Sequence, residues 1–442
     1  MKKLRELYRK TGWHTVFSYD DEASTARTHL LYATIVQSIV NGFTTGIFYT
    51  GFLIGYGINI VNISIITLVP YLASLFTLLT PYILERFPVR RHILSITRIL
   101  YYAVNILGIT ALPYVVHDEN ARVVWLVIIV FVANAIYFTF TSYMPWHVKY
   151  LTPETRTGYF SGAALVSNVS GSIFLIIASI ITDKLSPEAQ QDMIVALRIA
   201  AFAMAILDVY FLQKPKEPVY EISSQKPKLL DVFRLPLSNK RFLLTTVLYA
   251  MYLYSVNLVS TVVNTWLLQD VQISYLYINL TGAAYAPIIL LLSPLWSRFM
   301  QKKGTFVALS LGCILSAATW FAHVFVTPGN YIWLLTAVRL GQFMVGVLLT
   351  FAANNLIYVN LPKADQTNYF SFQSVLANVA VFLAMVTATW IVAQMGESTV
   401  SVFGQVLGSV PFVMLCQTIL LTCVSMLSLL LRKKLQPEGR LV

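Results

Sequence analysis

Leu79-Thr80-Pro81-Tyr82-Ile83-Leu84-Glu85-Arg86-Phe87-Pro88-Val89-Arg90-Arg91 follows the second long apolar run, and the chain writes a counterpart much later. That counterpart is Leu291-Leu292-Ser293-Pro294-Leu295-Trp296-Ser297-Arg298-Phe299-Met300-Gln301-Lys302-Lys303. Both contain Arg-Phe, two intervening residues and a basic pair, and they stand roughly 210 positions apart. A second echo keeps nearly the same offset. Leu151…Arg156-Thr157-Gly158-Tyr159-Phe160-Ser161…Asn168 matches Leu361…Gln366-Thr367-Asn368-Tyr369-Phe370-Ser371…Asn378. One membrane unit of six segments, present twice, accounts for both.

Composition requires a membrane. Of 442 residues, 57% are hydrophobic and only 11% charged, with mean hydropathy +0.69, whereas soluble domains carry about 25% charged residues. A soluble protein of this size has no place to hide so much apolar surface, but a bilayer accepts it. The net charge of +12 arises from 31 Lys+Arg against 19 Asp+Glu. Its placement in alternate loops points to topology and away from nucleic acid. Cys313, Cys416 and Cys423 lie in apolar runs without disulfide or metal spacing. No nucleotide-cradling loop, metal cluster or nucleophile–base pair is recognisable, so an enzyme is not expected, nor a cofactor.

About twelve apolar runs are long enough to cross a bilayer as helices. The first half gives 28–55, 60–84, 93–116, 122–145, 159–183 and 191–213; the second gives 242–268, 271–297, 304–326, 330–357, 369–394 and 403–431. The expected fold is therefore an all-α integral membrane protein of two pseudo-symmetric six-helix bundles. Its parts are an N-terminal segment 1–27, a bundle 28–213, a linker 214–241, a bundle 242–431 and a tail 432–442. The N-terminal bundle's small residues, Gly42, Gly46, Gly51 and Gly55 in span one and Ser161, Ala164, Asn168 and Gly171 in span five, suit close helix approach. The basic residues of the N-terminus, Arg86/Arg90/Arg91, Lys149/Arg156, the linker, Arg298/Lys302/Lys303, Lys363 and Arg432/Lys433/Lys434 share one side. The positive-inside rule then puts both termini and the linker in the cytoplasm of a multi-pass protein of the cell membrane.

At the two loop motifs the chain resembles the major facilitator superfamily. That family carries a Gly-x-x-x-Asp-Arg-x-Gly-Arg-Arg-like signature between helices two and three and a degenerate copy between eight and nine. Here Glu85 stands for the acid, the leading glycine is absent, and one extra residue precedes the basic pair. The resemblance implies two bundles rocking about a midplane cavity. It also implies a cytoplasmic latch from Glu85, Arg86, Arg90 and Arg91, mirrored by Arg298, Lys302 and Lys303; simple orientation signals are the other reading. The fourth span lacks the family's midmembrane Arg-x-x-Gln-Gly pattern, and a similar arrangement stands in span ten as Arg339-Leu340-Gly341-Gln342…Gly346. The glycine-proline-rich fifth helix of drug–proton antiporters is absent from 158–183.

Ionisable groups deep in a bilayer are costly and need a reason. Arg339, a third of the way into span ten, has a planar fork suited to a carboxylate, phosphate or sugar hydroxyl; a structural arginine bonded to carbonyls is the alternative. Arg198 lies in the outer half of span six. Asp208, near that span's inner end, is the carboxylate set well inside a predicted span and the candidate for coupling to H+, unless it only partners a nearby base. Na+ is the other coupling ion considered. Amides and hydroxyls suit a hydroxyl-rich solute. Spans one, four, seven and ten line the cavity in the superfamily, which by resemblance raises Gln37, Asn41, Asn134, Tyr137, Asn257, Asn264 and Gln342 as substrate contacts. The expectation is a monomeric secondary or facilitative carrier of a small polar solute, a sugar or glycoside or an organic anion. Efflux of amphipathic drugs or toxic compounds is the alternative.

Overall fold

A backbone inside hydrocarbon must close its own hydrogen bonds, and a helix does so within one segment. The structure, a computed structural model, describes residues 13–84, 87–140, 150–151, 153–217, 229–356, 358–362, 366–402 and 405–435. Ahead of the linker come α1 (Glu22–Thr44), α2 (Gly46–Gly55), α3 (Ile60–Ala73), α4 (Thr80–Leu84), α5 (Arg91–Tyr102), α6 (Ile109–Val115), α7 (Glu119–Thr139), α8 (Pro153–Asp183) and α9 (Pro187–Gln213). After it come α10 (Leu229–Ser238), α11 (Lys240–Asn257), α12 (Val263–Gln269), α13 (Tyr275–Ala283), α14 (Tyr285–Lys303), α15 (Thr305–His323), α16 (Tyr331–Leu356), α17 (Gln366–Met395) and α18 (Ser409–Leu435).

Among the described residues, 11 helical stretches are long and apolar enough to cross a membrane. The remaining expected span, 242–268, is broken into α11 and α12. At the break the Val259 amide donates to Gln417 Oε1 at 3.0 Å, so a buried amide on α18 replaces the missing helical acceptor. The last span starts at Ser409 and not at 403. Val400–Val402 and Gln405–Leu407 pair antiparallel ahead of it as a short hairpin, in keeping with their β-branched residues.

Contacts divide the chain into unit 1, Met1–Gly57 with Phe76–Pro227, and unit 2, Ile58–Leu75 with Lys228–Val442. In unit 1, α1 packs on α8 and α9, while α5 packs on α9 and α7. In unit 2, α11 packs on α17 and α18, while α15 packs on α18 and α16. These are equivalent pairings, counted span by span, and they are what a duplicated six-span unit requires. Helix α3 packs on α17 within unit 2, through Leu68 and Tyr71 against Val381, Phe382 and Met385.

The repeated Tyr-Phe-Ser stretches occupy corresponding places. Tyr159 packs on Phe17, ring centroids 5.8 Å apart, in a core holding the segment just ahead of α1. Tyr369 packs edge-on against Phe242 at 4.7 Å, in a core shared with Val232 and Leu235 of α10, just ahead of α11. Two features shape the first helix. Gly46, the first residue of α2, takes φ +61°, a conformation that costs other residues about 1–2 kcal/mol. Gly171 faces Ser38 so closely that a Cβ would meet its Oγ at 2.5 Å, which brings α8 against α1.

Candidate functional site

Asp208 is wholly buried on α9, and its surroundings come from α5. Arg98 Nε donates to Asp208 Oδ2 at 2.7 Å, and the Tyr102 hydroxyl donates to the same oxygen at 2.7 Å. Arg98 and Tyr102 stand four residues apart, so one helix face presents both. Asp208 Oδ1 has no hydrogen-bond partner among the described residues. Arg98 and Asp208 sit in the wall of a cavity of about 390 Å³. Thr34 and Gln37 of α1, Tyr137 of α7 and Tyr159 of α8 also line it. Tyr137 packs against Tyr101 with the rings tilted and their centroids 4.5 Å apart. The cavity therefore offers a cation, an anion, an amide and hydroxyls within apolar walls.

Arg98 and Tyr102 are the residues that sequence reasoning passed over. The signal was present, since Arg98 is a charge inside the expected span 93–116 and needed a partner as much as Asp208 did. Arg198, also buried, has a different solution. Its Nε donates to Thr110 Oγ1 at 2.7 Å and its Nη2 to the Asn105 carbonyl at 3.3 Å. Its guanidinium lies 4.7 Å from the Phe52 ring centroid and 5.3 Å from that of Tyr49. Between α5 and α6 the backbone forms a π-turn, Ala103–Gly108, and that widened turn presents the carbonyl that Arg198 uses.

In unit 2, Arg339 Nη1 donates to the Ile278 carbonyl and to Thr281 Oγ1, both at 3.0 Å. Those contacts match the alternative of a carbonyl-bonded arginine. Gln342 lies 3.4 Å from His323 Nδ1. The buried His323 ring stacks on Trp320, centroids 5.1 Å apart. Asn257 and Asn134 each donate back to their own helix, to Leu253 and Val130, at 2.8 Å. Asn41 is exposed and Asn264 half-buried. Of the expected solute contacts, Gln37 and Tyr137 line one cavity together with the coupling candidate Asp208; Asn41 and Asn134 are not among its lining residues, and Arg339, Asn257, Asn264 and Gln342 belong to unit 2.

Glu85 and Arg86 of the expected latch lie outside the described residues. Arg90 and Arg91 engage through their backbone: their amides donate to Glu217 Oε1 and Oε2 at 2.7 and 2.9 Å. Glu217 thus caps the start of α5, where a carboxylate meets the positive end of the helix dipole. Arg298, Lys302 and Lys303 are exposed, the two lysines in the last turn of α14, where cations suit the opposite pole.

No family model and no curated protein sequence matches the chain. Solved structures do. A mutant of the nucleoside transporter NupG aligns over 92% of this chain and 99% of its own, with TM-score 0.70 and 10% identity. A bacterial homologue of the iron transporter ferroportin, in an inward-facing state, aligns over 91% of this chain and 98% of its own, with TM-score 0.66 and 12% identity. A POT family transporter in complex with a thioalcohol-conjugated peptide aligns over 93% of this chain and 96% of its own, with TM-score 0.63 and 13% identity. The chain shares the overall fold of these solved structures.

Proposed function

We propose that the chain is a secondary or facilitative carrier of a small polar solute across the cytoplasmic membrane, of the sugar, glycoside or organic anion class. The observation that carries this reading is the unit 1 cavity, with a buried ion pair, an amide and several hydroxyls inside a transporter fold. Burying charge in such a place is costly unless a hydrated ligand uses it. That wall favours a polar solute over the amphipathic cargo of an exporter. On this reading the bundles 28–213 and 242–431 alternate access by rocking, the termini are cytoplasmic, and the basic residues of the two repeated loops latch one state. Solved neighbours described as nucleoside, iron and peptide transporters support transport as the general activity.

The test is uptake of radiolabelled glucose, methyl glucoside and gluconate into proteoliposomes, beside resistance to ethidium in cells. Uptake of one polar probe, lost in Gln37→Ala, is expected. Ethidium resistance without polar uptake would reverse the reading.

A further inference from the structure

We propose that the unit 1 cavity binds a hydroxylated monocarboxylate, such as a sugar acid, and that Asp208 takes up one proton with each anion bound. This rests on the carrier reading above and adds its substrate class and its coupling.

The geometry sets the stoichiometry. Among the described residues, the cavity wall carries one guanidinium, Arg98, and one carboxylate, Asp208, joined at 2.7 Å. An incoming carboxylate needs Arg98, yet Asp208 already neutralises it. Two carboxylates on one cation in a poorly hydrated site repel each other, and the usual relief is a proton on one of them. Asp208 is built to accept that proton without rearranging. Its Oδ2 holds both Arg98 and Tyr102, whereas Oδ1 is buried and has no partner among the described residues. A proton on Oδ1 leaves Oδ2 as an acceptor, so Arg98 stays in place while its charge becomes available to the solute. One proton and one monoanion enter together, and the net charge of the cavity is unchanged.

Among the described residues, the groups around Asp208 give the proton no competing carboxylate. From α5 come Arg98 and Tyr102; from α7, Tyr137; from α8, Tyr159. From α1 come the uncharged Thr34 and Gln37, while His29 stacks farther along on Phe211 at 6.3 Å. From α2, Tyr49 faces Arg198. The hydroxyls and the amide select a solute that bears hydroxyls besides its carboxylate.

Equilibrium binding of radiolabelled gluconate to the purified full chain in nanodiscs, with glucose as the neutral control, tests this. Above the titration of Asp208, gluconate affinity is expected to rise about tenfold for each unit of falling pH, the slope of one linked proton. Glucose binding should not follow pH. In Asp208→Asn, gluconate should bind at every pH as it binds the wild type in acid; in Arg98→Gln it should not bind. Should either variant fail to fold, wild-type protein in weak buffer must still take up about one proton per gluconate bound. Gluconate binding that ignores pH, or binding without proton uptake, overturns the coupling. No gluconate binding at any pH overturns the substrate class. If gluconate binds with its proton but never enters proteoliposomes, the carrier reading fails and this one stands.

Discussion

Removing Asp208 alone takes the counter-ion from the buried Arg98 guanidinium, and removing a single member of a buried pair typically costs about 3–5 kcal/mol. Asp208→Ala should therefore lower the thermal midpoint of the purified protein sharply. The double variant Arg98→Ala with Asp208→Ala should recover part of the loss, because no unpaired charge remains. A double variant no better than the sum of the singles would show that the two groups are not coupled. At the surface, Asp21 caps α1: the Ser24 amide donates to its Oδ1 at 2.8 Å. That bond and its partner from the Ser24 hydroxyl hold the Asp21 carboxyl below the usual carboxylate range. A lowered pKa means its stabilisation is present above the ordinary carboxylate range and fades as pH falls through the lowered value. Thermal unfolding across acid pH should show Asp21→Ala converging on the wild type at the lowest values, and a constant gap would contradict this. Sequence alone exposed Asp208 as an anomaly in an apolar span but left its partner open. The pairing rests on Arg98, 110 residues away in the chain, and helical periodicity carries no information at that range.

Helices were legible wherever length and hydropathy alone decide them, as in α7 or α9. They were not legible where a distant side chain decides. The break between α11 and α12 depends on Gln417, 158 residues on, and the π-turn at Ala103–Gly108 meets Arg198, some ninety residues on. Gln417→Leu leaves the Val259 amide without its acceptor and should cost about 1–3 kcal/mol, the penalty for a buried unpaired donor. A variant that unfolds at the wild-type temperature would mean that the break is intrinsic to residues 258–262. Close helix approach was legible as a pattern of small residues, but which glycine mattered was not. Gly171→Leu should destabilise by about 1–3 kcal/mol through overpacking against Ser38, and Gly171→Leu with Ser38→Gly should regain some of it. Gly346, with open space where a Cβ would go, should accept alanine without loss, as the same thermal assay will report.

For the whole molecule, duplication is the organising fact, and two short echoes in the sequence were enough to find it. The matching pairings of α1 with α8 and α9, and of α11 with α17 and α18, follow from that duplication. The site did not follow, since the lining residues of the described cavity all belong to one copy. Symmetry builds the scaffold; departures from it supply the chemistry. Arg27 shows one practical result of how the first copy is closed. Its guanidinium donates to the carbonyls of Val16 at 2.7 Å, Tyr150 at 3.0 Å and Thr15 at 3.3 Å. The stretch ahead of α1 is therefore riveted to the bundle through its main chain, where changes of side chain leave the bonds intact. Substitution at exposed Thr15 should be forgiving, whereas Val16 and Phe17 also fill the core; trimming the chain past Phe17 would bare a cation, so any fusion partner belongs upstream of that rivet.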